Sequence, residues 1–415
     1  MLRIIAIIIT TLALAYAAWA NSASTLMSKF SPERGLRLNP TSAQALVNVT
    51  ERAKAKKDQS DFLKIARANS LTALRSEPLA TRALRQLGVY YSSTGKTAEG
   101  RKLVNLAVQL SQRDTAGQLW LAEDHLRAGE YKQALTAIDV VLRTEPDSRE
   151  TVFRVLGATL ANPEFNRVFV EYARGRPSWL RWFIDYNVSS LPKPELISRM
   201  LVQLQPLPPE ILSDSASGML LTSLVNRSPI ADARVFYLKL PNASPQSLKS
   251  LTFRRPGDSL LFPPVGWELI NDGNVQGFGD IDGQSTSIEG AAAPGRHGAI
   301  ARKLLFLGAG SYRWTGVADL SGLSGGAAAI SILCNKGPGA WTPLARKELA
   351  RGRNNFGFTV PPACEAQLIA IDIAAADSQS DASMEVGAMR LAPLGGGAPT
   401  TYARKTVSVP REVER

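Results

Sequence analysis

Two stretches of this chain, laid over one another at a spacing of ~34 residues, agree position by position. Leu87, Gly88, Gly95, Gly100, Val104 and Ala107 fall on Leu121, Ala122, Gly129, Ala134, Ile138 and Val141. A fainter copy precedes them, in which Ala66, Ala73 and Pro78 fall on Gly100, Ala107 and Gln112. The small residues at Gly88/Gly100 and Ala122/Ala134 let two helices approach closely, and larger neighbours such as Leu84, Tyr91, Leu121, Tyr131 and Ile138 fill the groove between them. Gly95 and Gly129 sit where the first helix of each unit must stop, and Pro146 ends the second unit. The period predicts a stack of helical hairpins, since one hairpin cannot bury its own apolar face.

A helix-turn-helix of this period and small-residue pattern resembles the tetratricopeptide (TPR) repeat. The resemblance covers residues 47–148, with 81–148 the best-ordered part. It implies an α-solenoid that binds peptide or protein partners on its concave face. Polar residues on the first helices then become partner-binding candidates by repeat position: Arg85, Ser92, Gln118 and His125.

Ahead of the repeats, residues 4–20 carry no charge and follow Arg3. The run is long enough for a minimal bilayer span, and Ala18-Trp19-Ala20 also fits a small-x-small cleavage site. A signal anchor is the preferred reading because the apolar run extends into the cleavage motif; a cleaved signal peptide is the alternative. Either places the bulk of the chain outside the cytoplasm, and the flanking Lys29, Arg34 and Arg37 run against a clean positive-inside count. Residues 21–46, broken at Ser31-Pro32 and Asn39-Pro40, read as a tether. The net charge of +12 lies almost wholly before residue 251. Its densest cluster, Arg52, Lys54, Lys56 and Lys57, has no interleaved aromatics, so no nucleic-acid partner is expected.

Beyond the repeats, residues 149–241 keep apolar helical stripes punctuated by prolines. They read as a degenerate helical continuation, with Trp179, Trp182, Phe183 and Tyr186 as an aromatic core. Residues 242–259 read as a linker. From there to residue 394 the texture changes to short alternating runs between glycine-rich turns, at 267–270, 285–289, 299–306, 311–317, 327–334, 344–349, 355–360, 367–373 and 384–391. That spacing argues an antiparallel β-sandwich, jelly-roll-like in kind. Ile330, Ile332 and Cys334 share one strand face, and Ile369, Ile371 and Ile373 share another. The two cysteines, Cys334 and Cys364, fall at strand edges and in an exported protein would form a disulfide. Residues 395–415 read as a disordered tail.

The segment Gly310-Ser311-Tyr312-Arg313-Trp314 and the run Pro361-Pro362-Ala363-Cys364, within residues 260–394, resemble β-sandwich modules of the carbohydrate-binding or galactose-binding type. That resemblance implies a glycan-stacking role for Trp267, Tyr312, Trp314 and Trp341, weighed against burial in the core. An anchor, TPR-like repeats and a terminal sandwich together resemble envelope proteins of Gram-negative bacteria, some of which accompany surface-polysaccharide export. The expected setting is an inner membrane with one N-terminal span and the bulk in the periplasm, secretion after cleavage being the alternative.

No catalytic constellation emerges. His125 and His297 are the only histidines, no nucleophile elbow or phosphate loop is present, and no cofactor is expected. Asp280, Asp282 and Glu289, spaced along a glycine-rich loop, are candidate oxygen ligands for Ca²⁺, although Ser285 departs from the EF-hand pattern. The residues therefore favour an envelope adaptor that binds a protein partner through its helical array, with polysaccharide as a second contact. The alternative is a carbohydrate-binding sandwich displayed on a helical stalk.

Overall fold

The computed structural model describes residues 2–55, 59–207, 210–241, 243–251, 262–281, 286–377 and 382–394. The chain divides into two compact units, Met1–Phe183 and Ile184–Arg415.

The first unit is helical. α1 (Leu2–Phe30), α2 (Pro32–Leu38), α3 (Ala43–Ala55) and α4 (Gln59–Ser76) lead into two regular hairpins, α5 (Thr81–Ser93) with α6 (Thr97–Leu110) and α7 (Thr115–Arg127) with α8 (Tyr131–Thr144). Both members of the second hairpin start at the same offset from the first that the sequence shows. α9 (Arg149–Thr159) keeps that offset, α10 (Pro163–Ala173) falls short of it, and α11 (Leu180–Ser190) runs across the unit boundary. The small residues act as expected. A Cβ on Gly88 would stand 2.7 Å from the Gly100 carbonyl oxygen and 2.7 Å from Val104 Cγ2. Gly95 and Gly129 adopt φ of 89° and 74°, and the next amides, Lys96 and Glu130, bond back to the Tyr91 and His125 carbonyls at 2.8 Å. That is a left-handed glycine cap, which only glycine enters without strain. The later aromatics form a buried cluster in which Phe169 lies 5.0 Å from Phe183 and Trp179 donates to Asp139 at 2.9 Å. Trp182 alone of that stripe is turned outward, 60% exposed.

Residues 21–46 are not an extended tether. α1 continues unbroken to Phe30, α2 begins at Pro32, and α3 starts at Ala43. The prolines break the chain between helices but do not unstructure it, because Pro32 takes the first turn of α2, where its missing N–H costs nothing.

The second unit joins three helices to a sandwich. The helices are α12 (Pro194–Gln203), α13 (Asp214–Arg227) and α14 (Ile230–Tyr237). The strands are β1 (Glu268–Leu269), β2 (Val275–Ile281), β3 (Thr286–Ala292), β4 (His297–Leu305), β5 (Gly310–Asp319), β6 (Ala327–Gly337), β7 (Ala340–Glu348), β8 (Gly352–Val360), β9 (Gln367–Ala374) and β10 (Ala382–Pro393). They form two antiparallel sheets, ordered β1-β4-β9-β6-β7 and β2-β3-β10-β5-β8. Ile330, Ile332, Ile369, Ile371 and Ile373 face inward with Trp267 and Trp314. Cys334 and Cys364 are bonded, with Cα atoms 5.6 Å apart and a sequence separation of 30. Closing a loop of that size is worth about 3–4 kcal/mol on the chain-entropy account.

Two further expectations are corrected. The helices of 194–237 belong with the sandwich rather than with the repeats, because the intervening chain is hydrogen-bonded into the first sheet: Phe306 donates to the Leu248 carbonyl at 2.7 Å and Leu304 to the Pro264 carbonyl at 2.6 Å. Half of the linker expected at 242–259, and the tail at 395–415, lie outside the described residues. The second correction is β2, expected as a glycine-rich loop. A Cβ on Gly277 would stand 2.0 Å from the Ile300 carbonyl oxygen, so the glycine marks a close backbone approach within a strand.

Lys303 is buried in the sandwich, its ammonium donating to the Val265 carbonyl. Burial pushes its pKa down from 10.5 to about 7. Below pH 7 both folded and unfolded chains hold the proton, and the folded state carries the full cost of the buried charge. As pH rises from about 7 to 10.5 the folded state releases the proton while the unfolded state keeps it, so stability rises across that window. Lys303→Met should therefore stabilise the protein at pH 6 by an amount on the order of 4 kcal/mol. The advantage should shrink toward pH 10, as urea titrations of both chains at the two pH values will show.

Candidate functional site

The outward face of the first sheet in the second unit carries one polar row in strict register. Glu268 on β1 pairs with Arg302 on β4, Arg302 with Ala370 on β9, Ala370 with Ser331 on β6, and Ser331 with Arg346 on β7. Because side chains alternate across a strand, Asp372 lies on the same face as Ala370. Arg346 Nη1 donates to Asp372 Oδ2 and to Ser331 Oγ, each at 3.1 Å, and Ser331 in turn donates to Asp372. The Arg346 side chain is 62% exposed and Asp372 22% exposed, so the pair reaches solvent at one end while its acceptor is held from below.

This row floors a cleft of about 500 Å³, with Leu333 and Leu368 as its apolar part and Thr222, Val225 and Asn226 of α13 as one wall. The wall is held by the β6–β7 turn. Gly339 donates its N–H to the Val225 carbonyl at 3.2 Å, with φ of 64°. A Cβ there would stand 3.0 Å from the Asn226 carbonyl oxygen. Two residues on, half-buried Trp341, the second residue of β7, lines the same cleft. The cleft thus offers one aromatic surface beside carboxylate, guanidinium, hydroxyl and amide groups, a combination suited to binding a neutral, hydroxyl-rich molecule.

The four aromatics expected to stack on glycan do not form one platform. Trp267 and Trp314 are 1% and 0% exposed and belong to the core. Trp267 donates to the Leu251 carbonyl at 3.4 Å, and Trp314 packs 5.6 Å from Phe356. Trp314 lies on the inward side of β5 and Trp267 just before β1, both in the core, where burial outweighs any use as a ligand face. Tyr312 is on the other sheet, stacked 5.8 Å from Phe358, with its hydroxyl donating to the Gly308 carbonyl at 2.9 Å. Burial pushes its pKa up. Only Trp341 of the four lines the cleft.

The four repeat residues are largely consumed within the array. Arg85 is held by Glu51 of α3 and by Asp114, each at 3.0 Å. Gln118 is buried at 9% exposure, and the Ser92 hydroxyl is buried without a hydrogen-bond partner among the described residues. His125 Nδ1 meets Glu130, which also takes Arg101 at 2.9 Å. These two bonds hold the Glu130 carboxyl below the ordinary range. Arg85 spans neighbouring hairpins and so fixes their stacking instead of offering a free groove group.

Of the calcium candidates, Asp282 and the Asp280 side chain lie outside the described residues, while Asp280 as a backbone position belongs to β2. Glu289 belongs to a different row on the second sheet. Phe278, Glu289, Glu385 and Asp319 stand in register across β2, β3, β10 and β5. No group of carboxylates or histidines among the described residues is arranged to hold a metal ion.

Glu268, Arg302, Ser331, Arg346 and Asp372 do not stand out in the sequence. A signal exists for two of them: Ile-Ser-Ile at 330–332 and Ile-Asp-Ile at 371–373 place one polar side chain opposite an apolar face. Their convergence needs the strand order, which joins β6 and β9 as neighbours.

No family model matches the chain, and no curated protein matches it. Solved structures do, distantly. A promiscuous carbohydrate-binding module of the β-sandwich superfamily matches at 14% identity, over 35% of this chain and 62% of that one, with TM-score 0.25. A family 22 carbohydrate-binding module of Clostridium thermocellum Xyn10B matches at 13% identity, over 32% of this chain and 87% of that one, with TM-score 0.23. The enzymatically active domain of bacteriophage CBA120 tailspike protein 4 matches at 12% identity over 31% of this chain, which spans only 19% of that structure, with TM-score 0.22. Likeness this distant carries no information about ligand.

The different settings of the tryptophans make a stability contrast. Trp267→Ala should lower the unfolding free energy by about 3–5 kcal/mol through the cavity it leaves. Trp341→Ala should lower it by less than about 1 kcal/mol. Paired urea titrations measure both, and equal losses would put Trp341 in the core as well.

Proposed function

We propose that the second unit is a saccharide-binding module whose ligand lies in the cleft on the outward face of its first sheet. The observation that carries this reading is the convergence of Trp341 with the Arg346–Asp372–Ser331 network and with Glu268, Arg302 and Asn226. A sugar ring presents an apolar face to an aromatic side chain and a rim of hydroxyls to charged acceptors and donors, so both parts of the cleft have a use. The role is binding without bond cleavage. In the intact chain we place it in a bacterial envelope, anchored in the inner membrane with its bulk in the periplasm, and in the assembly or export of a surface polysaccharide.

The cleft residues give a direct test. Titration calorimetry of the detergent-solubilised chain with envelope oligosaccharides should show saturable binding. Trp341→Ala should weaken it at least about tenfold, some 1.4 kcal/mol, with the melting transition retained. Binding unchanged in that variant would remove the cleft from consideration.

The helical array is proposed as the adaptor half of the molecule, holding a protein partner. Leu106 and Leu110, one turn apart on α6, are 43% and 44% exposed, which favours an apolar contact there over the residues bound up in ion pairs. Leu106→Ser with Leu110→Ser should abolish co-purification of that partner from envelope extracts while leaving saccharide binding intact. Co-purification that survives the double change would exclude this face of α6.

A further inference from the structure

α1 is a single helix of 29 residues. At 1.5 Å per residue it is about 43 Å long, which matches a bilayer with both headgroup layers rather than the hydrocarbon core alone. Within it, 5–30 form one stretch long and apolar enough to cross a membrane. Its last turns have two unlike faces. Ala20, Ser24 and Ser28 are buried, at 6%, 0% and 0% exposure. They pack on the helices that follow: Ser24 Oγ donates to the Gly35 carbonyl at 2.9 Å, Asn48 donates to the Ser28 carbonyl at 2.8 Å, and Arg52 donates to the Phe30 carbonyl at 2.7 Å. Gly35 suits this close approach, since a Cβ would stand 3.0 Å from the Ser24 carbonyl oxygen.

The other face is apolar and uncovered. Trp19, Leu26 and Phe30 are 58%, 66% and 81% exposed. On a helix of 3.6 residues per turn they fall within about 40° of one another and opposite Ser24. Trp19 lies 6.0 Å from Tyr16, an aromatic pair of the kind that sits where hydrocarbon meets headgroups. Past that pair the apolar stripe continues while basic side chains begin. Lys29, Arg34 and Arg37 are all exposed, and none has an ion pair among the described residues. An apolar stripe flanked by unpaired cations, continuous with a span-length helix, fits a lipid surface with anionic headgroups.

We propose that the last turns of α1 and the docked α2 lie in the headgroup layer of an anionic leaflet, Leu26 and Phe30 dipping toward the acyl chains and Lys29, Arg34 and Arg37 meeting lipid phosphates. The array is then attached to the membrane through a rigid helical corner with no swivel, and α1 is retained in the mature chain.

The full chain, reconstituted in vesicles of phosphatidylcholine alone or mixed with phosphatidylglycerol, tests this. Leu26→Cys and Phe30→Cys carry a nitroxide; the native cysteines are disulfide-bonded, and both labelled positions are exposed, so packing is undisturbed. In the anionic vesicles both labels should collide readily with oxygen and poorly with a water-soluble nickel chelate. Reversing the charge at Lys29, Arg34 and Arg37 together should raise nickel collision several-fold. The proposal is overturned if both labels meet the chelate as freely as one at Leu79→Cys, which is 73% exposed. Spin–spin broadening that marks a second copy as the cover would overturn it too, as would an intact mass showing that the envelope-extracted chain begins at Asn21.

Discussion

Three main-chain hydrogen bonds carry the second unit: Phe306 to Leu248, Leu304 to Pro264, and Gly339 to Val225. The first two satisfy the β4 edge beyond the short β1, where unpaired amides would otherwise stay exposed. The third pins a hairpin turn to the end of α13. Together they bring a helix against the face of a sheet and leave a gap rather than a packed seam, because the row beneath is charged and hydroxylated and cannot be buried dry. The cleft exists because a polar sheet face has been covered part-way.

The first unit shows the opposite economy. The two helices of its first regular hairpin meet through Gly88 and Gly100, so close that no side chain fits between them, and its polar groups are drawn into the joints. Arg85 reaches two carboxylates, Glu51 on α3 and Asp114 at the N-cap of α7, and Arg101 reaches two more. A partly buried guanidinium satisfied on both sides specifies one stacking geometry, since removing either acid leaves a charge in a poorly solvated place.

Architecture is legible in the chain to a large degree. The period of the repeats foretells where α5 to α9 begin, and alternation locates nine of the ten strands among the described residues. Where reading fails, backbone proximity is the cause. Gly277 looks like a loop residue because its requirement is an approaching Ile300 carbonyl, which leaves no local trace. Residues 21–46 look like a tether because proline reads as a disruptor of structure and not as the first residue of a helix. The site is less legible than the fold. Trp341 stands among the sequence candidates, but so do Trp267 and Trp314, and composition cannot separate an aromatic that packs inward from one that faces out. Glu268, Arg302, Ser331 and Arg346 come from four strands spread over most of the sandwich sequence, so only strand order makes them neighbours.

The α13 wall has a consequence for modularity. The sandwich looks like a unit that could be cut out and grafted elsewhere, with a natural seam in the proline- and glycine-marked stretch near residue 250. Such a cut would leave β4 with an open amide at Phe306 and the cleft with one side missing. The cleft and the preceding helices are therefore inherited together. An exchange of the sandwich at that seam would have removed the cleft in the same event, so the helical segment 194–237 and the sandwich are expected to travel as one evolutionary piece.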